Sequence, residues 1–565
     1  MQKHAQKDVC VIGLGAAGGV IAAELAKAGL SVVGLEAGPY FKRETFENHT
    51  EAHDELSYVS HGKLRWNQPE VLVYNGGPPL TFPVIARNIG VGGPLHWSCF
   101  SYRFHESDFM VRGGSVVPDG TSVADWPIRY SELEPFYDRA EYEFGVAGNA
   151  GVNPFEARRK RPYPLPSLTR QRAGQLFQET AKELGYHPFA IPAAITTQAG
   201  YGGKEYRQPC NYCGYCTFYG CEQHAKGATL VVTLPDALTT GQLEIRPYAL
   251  AVQITRNGNG QARSVIYLDR EGKSHEQPAR VFAVCNNAAY VVRLLLMSRS
   301  DDFPNGLCNS SGLVGKNLMF HASVFGYGTF DDRDLDAIQG PQATVAFDDL
   351  NEDRPRQRHD QSFVRGAVIS GGLPLAFTGG PLSFASALGT FVPLPDGVPS
   401  WGKGFKEFLA KYYKRHFAIS ALCEDLPVES NRIELDSNLK DEYRLPAIKI
   451  IYNDHPNTVA MQEFMRVRII ELFKAAGANH VVVTIPQIPG GAAAGHVMGT
   501  TRMGDNPEES VVNKYCQSHD VPNLFFGGSS VFVTASGLNP TLTIFALAYR
   551  SAEQIIKLWN QNAFS

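Results

Sequence analysis

Four cysteines crowded between positions 210 and 221 are the part of this sequence that most plainly carries chemistry. The run Gln208-Pro-Cys210-Asn-Tyr-Cys213-Gly-Tyr-Cys216-Thr-Phe-Tyr-Gly-Cys221 is C-x2-C-x2-C-x4-C. That spacing lets one loop wrap several thiolates around a compact inorganic core, as ferredoxin-type runs do. Soft thiolates shielded by Tyr212, Tyr215, Phe218 and Tyr219 suit an iron-sulfur cluster. A structural zinc is the rival, although zinc modules usually place a dozen or more residues between two C-x2-C pairs. Disulfides or inert thiols remain a third reading.

A second constellation lies near the start. Gly13, Gly15 and Gly18 occupy the G-x-G-x-x-G positions, the first making a tight turn, the second admitting a pyrophosphate, the third letting helix and strand pack closely. A helix N-terminus then faces the phosphates. Glu36, eighteen positions past Gly18, ends a second apolar strand over Leu30 to Leu35 and is placed to accept from a ribose hydroxyl. The pattern predicts a dinucleotide lacking a 2'-phosphate and does not by itself separate FAD from NAD.

These groups need a frame. A chain of 565 residues, 44% hydrophobic and 19% charged, can bury a large core and predicts two to four domain-sized units. Its net charge of -4 supplies no basic stripe for nucleic acid and no polybasic membrane anchor. The uncharged run from Val9 to Ala23 resembles a signal-peptide core, but its glycines assign it to the nucleotide turn. No apolar run reaches the roughly 18 to 20 residues that span a bilayer, so membrane association is expected only through partners. Leu243-Glu-Ile-Arg and Ser264-Val-Ile-Tyr read as antiparallel strands, Ala418 to Leu435 and Ala447 to Tyr452 as strands, Thr458 to Ala476 as a helix, and Lys403 to Arg415 as an exposed helix.

The C-terminal third adds a family likeness. His496-Val-Met-Gly-Thr-Thr-Arg-Met-Gly, Asn523-Leu-Phe-Phe-Gly-Gly-Ser-Ser and Gly537-Leu-Asn-Pro-Thr-Leu-Thr resemble the C-terminal signature of the glucose-methanol-choline (GMC) oxidoreductases. Asp125-Trp-Pro-Ile with Leu133-Glu-Pro-Phe-Tyr, Val291-Val-Arg-Leu-Leu-Leu, and Gly312-Leu-Val-Gly-Lys-Asn-Leu-Met are similar to family motifs in the expected order. The resemblance runs from about residue 8 to about 556 and is weakest between about 330 and 415. Two departures are Val284-Cys-Asn-Asn-Ala, where the family has Ala-Ala-Gly, and Gly527-Gly528, where many members have Gly-Asp.

The resemblance implies an α/β fold with a Rossmann-like FAD-binding domain and an α+β substrate domain built on an antiparallel sheet. The FAD-binding domain would comprise 1–100, 206–320 and 490–565, carrying the cysteine loop 208–224; the cap would comprise 101–205 and 321–489. It implies FAD, held by Gly13, Gly15, Gly18, Glu36, Gly92, Gly93, His96, Trp97, Gly528, Ser529, Asn539, Pro540 and Thr541. Gly92-Gly-Pro-Leu-His-Trp-Ser resembles the flavin-side glycine loop, in which some members attach FAD covalently through a histidine preceding tryptophan; the spacing here favours packing of His96 over attachment. His496 would be the base that takes a hydroxyl proton, and Asn539 would hold the substrate oxygen.

The cysteine loop resembles that of the flavoprotein subunits of bacterial gluconate 2-dehydrogenase and related sugar and polyol dehydrogenases. It implies a cluster held by Cys210, Cys213, Cys216 and Cys221, with [3Fe-4S] on three of them and one spare favoured, and [4Fe-4S] on all four the alternative. It further implies a gamma-type small subunit with an export signal, a cytochrome c subunit, and work at the periplasmic face. The expected function is a dehydrogenase acting on a hydroxyl of a sugar, sugar acid or polyol, with electrons leaving the flavin through the cluster to a cytochrome or quinone-linked acceptor; the alternatives are an oxygen-using oxidase like pyranose oxidase and a non-catalytic electron-transfer flavoprotein.

Overall fold

A computed structural model describes the chain except residues 42–68, 82–83, 86–89, 94–96, 115, 218, 343, 352–361, 376–383, 386, 390–391, 492–494 and 565. Its first sheet grows from the N-terminal apolar run. Val9 to Ile12 and all of Val32–Leu35 are buried, as strands covered on both faces require. The parallel order is Leu243–Arg246, Val32–Leu35, Lys7–Ile12, the end of Ser274–Val284, and Leu524–Phe526. The long strand Ser274–Val284 also pairs antiparallel with Ala262–Leu268, which pairs with Leu250–Arg256.

Leu243–Arg246 corrects an expectation, since it runs parallel to Val32–Leu35. The short helices Thr229–Val232 and Leu234–Thr239 return the chain across helix Ala16–Lys27 before the strand begins, and such a crossover brings in a parallel neighbour.

The second sheet is antiparallel, in the order His480–Thr484, His321–Thr329, His416–Glu424, Ala367–Leu373, Val345–Phe347, Phe189–Ala190. Helix Pro456–Ala475 lies across it and buries Met461, Met465, Ile469 and Phe473. A third sheet joins distant segments, with Glu70–Tyr74 running parallel to Pro446–Tyr452 and Arg432–Lys440 beyond. The expected strand Ala418 to Leu435 is thus two strands in two sheets. Pro427 has no N–H to continue a ladder, and Asn431 turns the chain by exchanging hydrogen bonds with Asn453. The basic helix is Gly402–Tyr412, and it is only partly exposed, because Phe408 and Tyr412 turn inward.

Candidate functional site

The glycine turn matches its assigned roles in local geometry. Gly13 has φ +88°, and its N–H donates to Leu35 O at 2.7 Å. A Cβ on Gly18 would lie 1.8 Å from the Gly13 carbonyl oxygen, so helix and turn touch only because the side chain is absent. A Cβ on Gly15 would meet nothing within 4 Å. Gly15 N-caps helix Ala16–Lys27 without a side-chain cap, leaving first-turn N–H groups for an anion. That open space beside uncapped amides fits a dinucleotide pyrophosphate.

Glu36 is buried and braces the turn. Its Oε2 accepts from Leu14 N at 3.0 Å, and its Oε1 accepts from Gly38 N at 2.9 Å and Gly90 N at 3.3 Å. Burial raises its pKa, and the three amides oppose that shift. A carboxylate retains further lone pairs for a ribose hydroxyl.

Gly92 donates to Leu14 O at 2.8 Å, bringing its loop against the nucleotide turn, and Gly93 follows it. His96 lies outside the described residues. Trp97 is buried edge-on to Phe545, and its indole Nε1 has no protein acceptor among the described residues, a donor suited to a bound cofactor. Gly528 precedes the 3-10 turn Ser529–Val531, and Ser529 Oγ donates to Val497 O at 2.6 Å. Asn539 is half-buried; Pro540 caps helix Thr541–Asn560, which begins at Thr541 without a side-chain cap.

The structure brings His496 to a residue that motif reading missed. Met319 and Met498 exchange backbone hydrogen bonds in an antiparallel bridge. Two residues outward, His321 and His496 face each other with Nδ1 to Nδ1 at 2.9 Å. Ser529 clasps the other side of the His496 segment through Val497 and Gly499. Burial, then the His321 ring, lowers the His496 pKa to about 3; burial lowers that of His321 to about 4. Both rings are neutral near pH 7. His321 lies 175 residues away in the chain and belongs to none of the quoted motifs; its only sequence signal is a polar ring at the head of an apolar run.

Behind this pair sits a buried charge network. Arg365 bonds Asp108 and donates from Nε to Glu424 Oε2 at 2.7 Å. Asp108 also accepts from Ser536 Oγ at 2.8 Å. Ser536 has φ +60°, a backbone state that its neighbours must hold.

The cysteine loop packs where Thr217 Oγ1 donates to Ser98 Oγ at 2.9 Å, and Lys226 Nζ donates to Cys216 O at 2.7 Å and Tyr219 O at 2.9 Å. Cys216 is buried, Cys210 and Cys221 are half-buried, and Cys213 is exposed. Burial pushes the thiols of Cys210 and Cys216 up to about 12 and about 11. Among the described residues, no group of three His, Cys, Asp or Glu side chains is arranged to hold a metal ion. As placed, the described side chains do not form the gathered ligand set that an iron-sulfur core takes.

Residues 427–548 match the family described as GMC oxidoreductase. The chain is 31% identical to the gluconate 2-dehydrogenase flavoprotein of Pantoea cypripedii, over 98% of this chain and 94% of that one. It is 31% identical to the 2-methyl-1,2-propanediol dehydrogenase of Mycolicibacterium austroafricanum, over 97% and 95%. Pyridoxine 4-oxidase from Mesorbium loti shares its fold, with a TM-score of 0.61 at 15% identity over 97% of this chain and 99% of that one.

Proposed function

The chain belongs to the GMC oxidoreductases and is an FAD-dependent oxidoreductase acting on CH–OH groups, and from that premise we propose that it dehydrogenates a hydroxyl of a sugar, sugar acid or polyol with His496 as base. The observation that carries this is a neutral, half-buried imidazole held between the Met319 bridge and the Ser529 turn. A neutral ring has a lone pair for the hydroxyl proton. The half-buried Asn539 amide donates to the substrate oxygen and orients it. FAD, when bound, supplies the hydride acceptor. The uncapped turn at Gly15, Glu36 and the Trp97 donor would hold it, together with Gly528, Ser529, Pro540 and Thr541. On this reading the parallel sheet and its neighbours over 1–100, 206–320 and 490–565 bind FAD, and 101–205 with 321–489 cover the substrate.

The substrate class is supported by relatives named for gluconate and for a propanediol. The resemblance of the cysteine loop supports electron exit to a cytochrome or quinone-linked acceptor, with a small subunit and a cytochrome c subunit as partners at the periplasmic face. A cluster in that route requires three or all four of Cys210, Cys213, Cys216 and Cys221 to gather around one core. Iron and acid-labile sulfide analysis of the purified protein, with electron paramagnetic resonance after substrate reduction, tests this point; protein containing FAD but no iron removes the relay and leaves the dehydrogenase. The central test is anaerobic. Gluconate, hexoses and polyols are mixed with FAD-loaded protein, and flavin bleaching is followed. Bleaching with little peroxide on admitting air is the expected result. No bleaching with any of them overturns the substrate class, and stoichiometric peroxide makes the protein an oxidase.

A further inference from the structure

We propose that His321 is a positioning residue that holds His496 in the one tautomer whose Nε2 carries a lone pair, a role that rests on His496 being the base. The argument follows the hydrogens. His321 Nε2 lies 2.8 Å from the backbone oxygen of Ser536. A carbonyl oxygen only accepts, so His321 Nε2 must carry a hydrogen. His321 is fully buried, and burial keeps it neutral, so its other nitrogen, Nδ1, is bare. That bare nitrogen faces His496 Nδ1 at 2.9 Å and can only accept, so His496 Nδ1 must donate. The remaining nitrogen of a neutral His496 is then an acceptor. Each assignment forces the next, from a carbonyl that cannot change its role.

The chain of bonds is anchored at both ends. Ser536 keeps its left-handed backbone, and so aims its carbonyl, while Oγ donates to Asp108 Oδ2. His321 opens the strand His321–Thr329, and its backbone pairs with Glu424. The nearby charges are Asp108, Arg365 and Glu424, which pair with one another, and Asp425, which accepts from Phe320 N at 3.1 Å and from Tyr452 at 2.6 Å. Alone, a neutral histidine exchanges between two tautomers, and only one leaves Nε2 free. In the proton-transfer step the substrate O–H bond breaks, its proton forms an N–H bond at His496 Nε2, and the electron pair stays on oxygen. The resulting imidazolium still donates from Nδ1 to His321, so no hydrogen bond is lost as charge develops.

The test uses FAD-loaded full-length protein labelled with 15N-histidine, the His496 resonances being identified by their loss in His496→Ala. In the unsubstituted protein near pH 7, His496 should show a protonated Nδ1 and a bare Nε2. A protonated Nε2 overturns the proposal without any substitution being made. His321→Ala should move the spectrum toward Nε2–H and slow anaerobic flavin reduction at least about tenfold, within the roughly 100- to 10,000-fold that a general base contributes. His321→Asn keeps an acceptor oxygen near the Nδ1 position and should recover most of both readouts. Equal losses in the two variants, or an unchanged tautomer and rate in His321→Ala, reduce His321 to packing. His496→Ala with normal flavin reduction removes the base itself, a different failure from one in which His496→Ala collapses and His321→Ala does not.

Discussion

At the scale of single residues, the site is governed by which groups are kept neutral and why. His496 and His321 are shifted the same way, yet the leading cause for each is loss of water, with the second ring adding to it for His496. Removing the His496 ring should therefore leave flavin binding intact, because the cofactor contacts come from the glycine turn and the Trp97 segment. His496→Ala is expected to fold, stay yellow, and lose flavin reduction by about 100- to 10,000-fold in stopped-flow mixing with substrate. Asn539→Ala should lose less, since water replaces a donated hydrogen bond more readily than it replaces a base. A His496→Ala protein that reduces its flavin at the parental rate would end the single-base account.

At the scale of elements, two glycines three positions apart separate folding from binding. Gly15→Val puts a branched side chain into space the protein leaves open beside the uncapped amides, so FAD should be excluded. Gly18→Ala puts a methyl group onto the Gly13 carbonyl, so the turn itself must shift and stability should fall. Visible absorbance and thermal midpoints distinguish the two; a fully flavinylated Gly15→Val places the pyrophosphate elsewhere. The Arg365 network makes a stronger demand. Arg365→Met leaves Asp108 and Glu424 buried without their cation, a loss expected to cost about 3 to 5 kcal/mol in denaturant titrations. A change below about 1 kcal/mol would show that other partners carry these carboxylates.

Locality decided which elements the sequence could disclose. Strand, glycine turn, helix and Glu36 occupy one continuous stretch, so their roles were legible from spacing, and His496 was legible from its motif. His321, Asp108 and Arg365 meet only when the antiparallel sheet has formed, and no local pattern marks them. The direction of Leu243–Arg246 was hidden for the same reason: a strand's own residues do not record which neighbour it finds. The cysteine spacing was plain, but spacing alone cannot report whether the four sulfurs are gathered around one point.

For the whole molecule, buried histidines fix how the fold responds to acid. His321 and His416 are held at about 4 and His496 at about 3, mainly by burial, against an ordinary value of 6.5. His416 lies outside the site, donating from Nδ1 to Tyr412 O at 3.0 Å and accepting from Leu375 N at 3.3 Å, so neither nitrogen has room for another proton. Each of the three is depressed in the fold, so the unfolded chain takes up a proton as pH falls through 6.5 while the folded chain does not. The stability they contribute is complete above pH 6.5 and is lost between there and about pH 4. Two carboxyl groups oppose the trend, since burial raises Asp425 to about 7 and also raises Glu36, so the fold retains protons there that the unfolded chain has released. Even if both carboxyl groups release a full proton, the three imidazoles leave a net uptake on unfolding near pH 5.5, so stability falls as pH is lowered. The urea midpoint of the FAD-loaded protein should therefore fall as pH is lowered from 6.5 to 4.5, and unfolding in weak buffer at pH 5.5 should consume protons. A midpoint flat across that interval, or protons released on unfolding, would mean that the raised carboxyl groups outweigh the buried imidazoles.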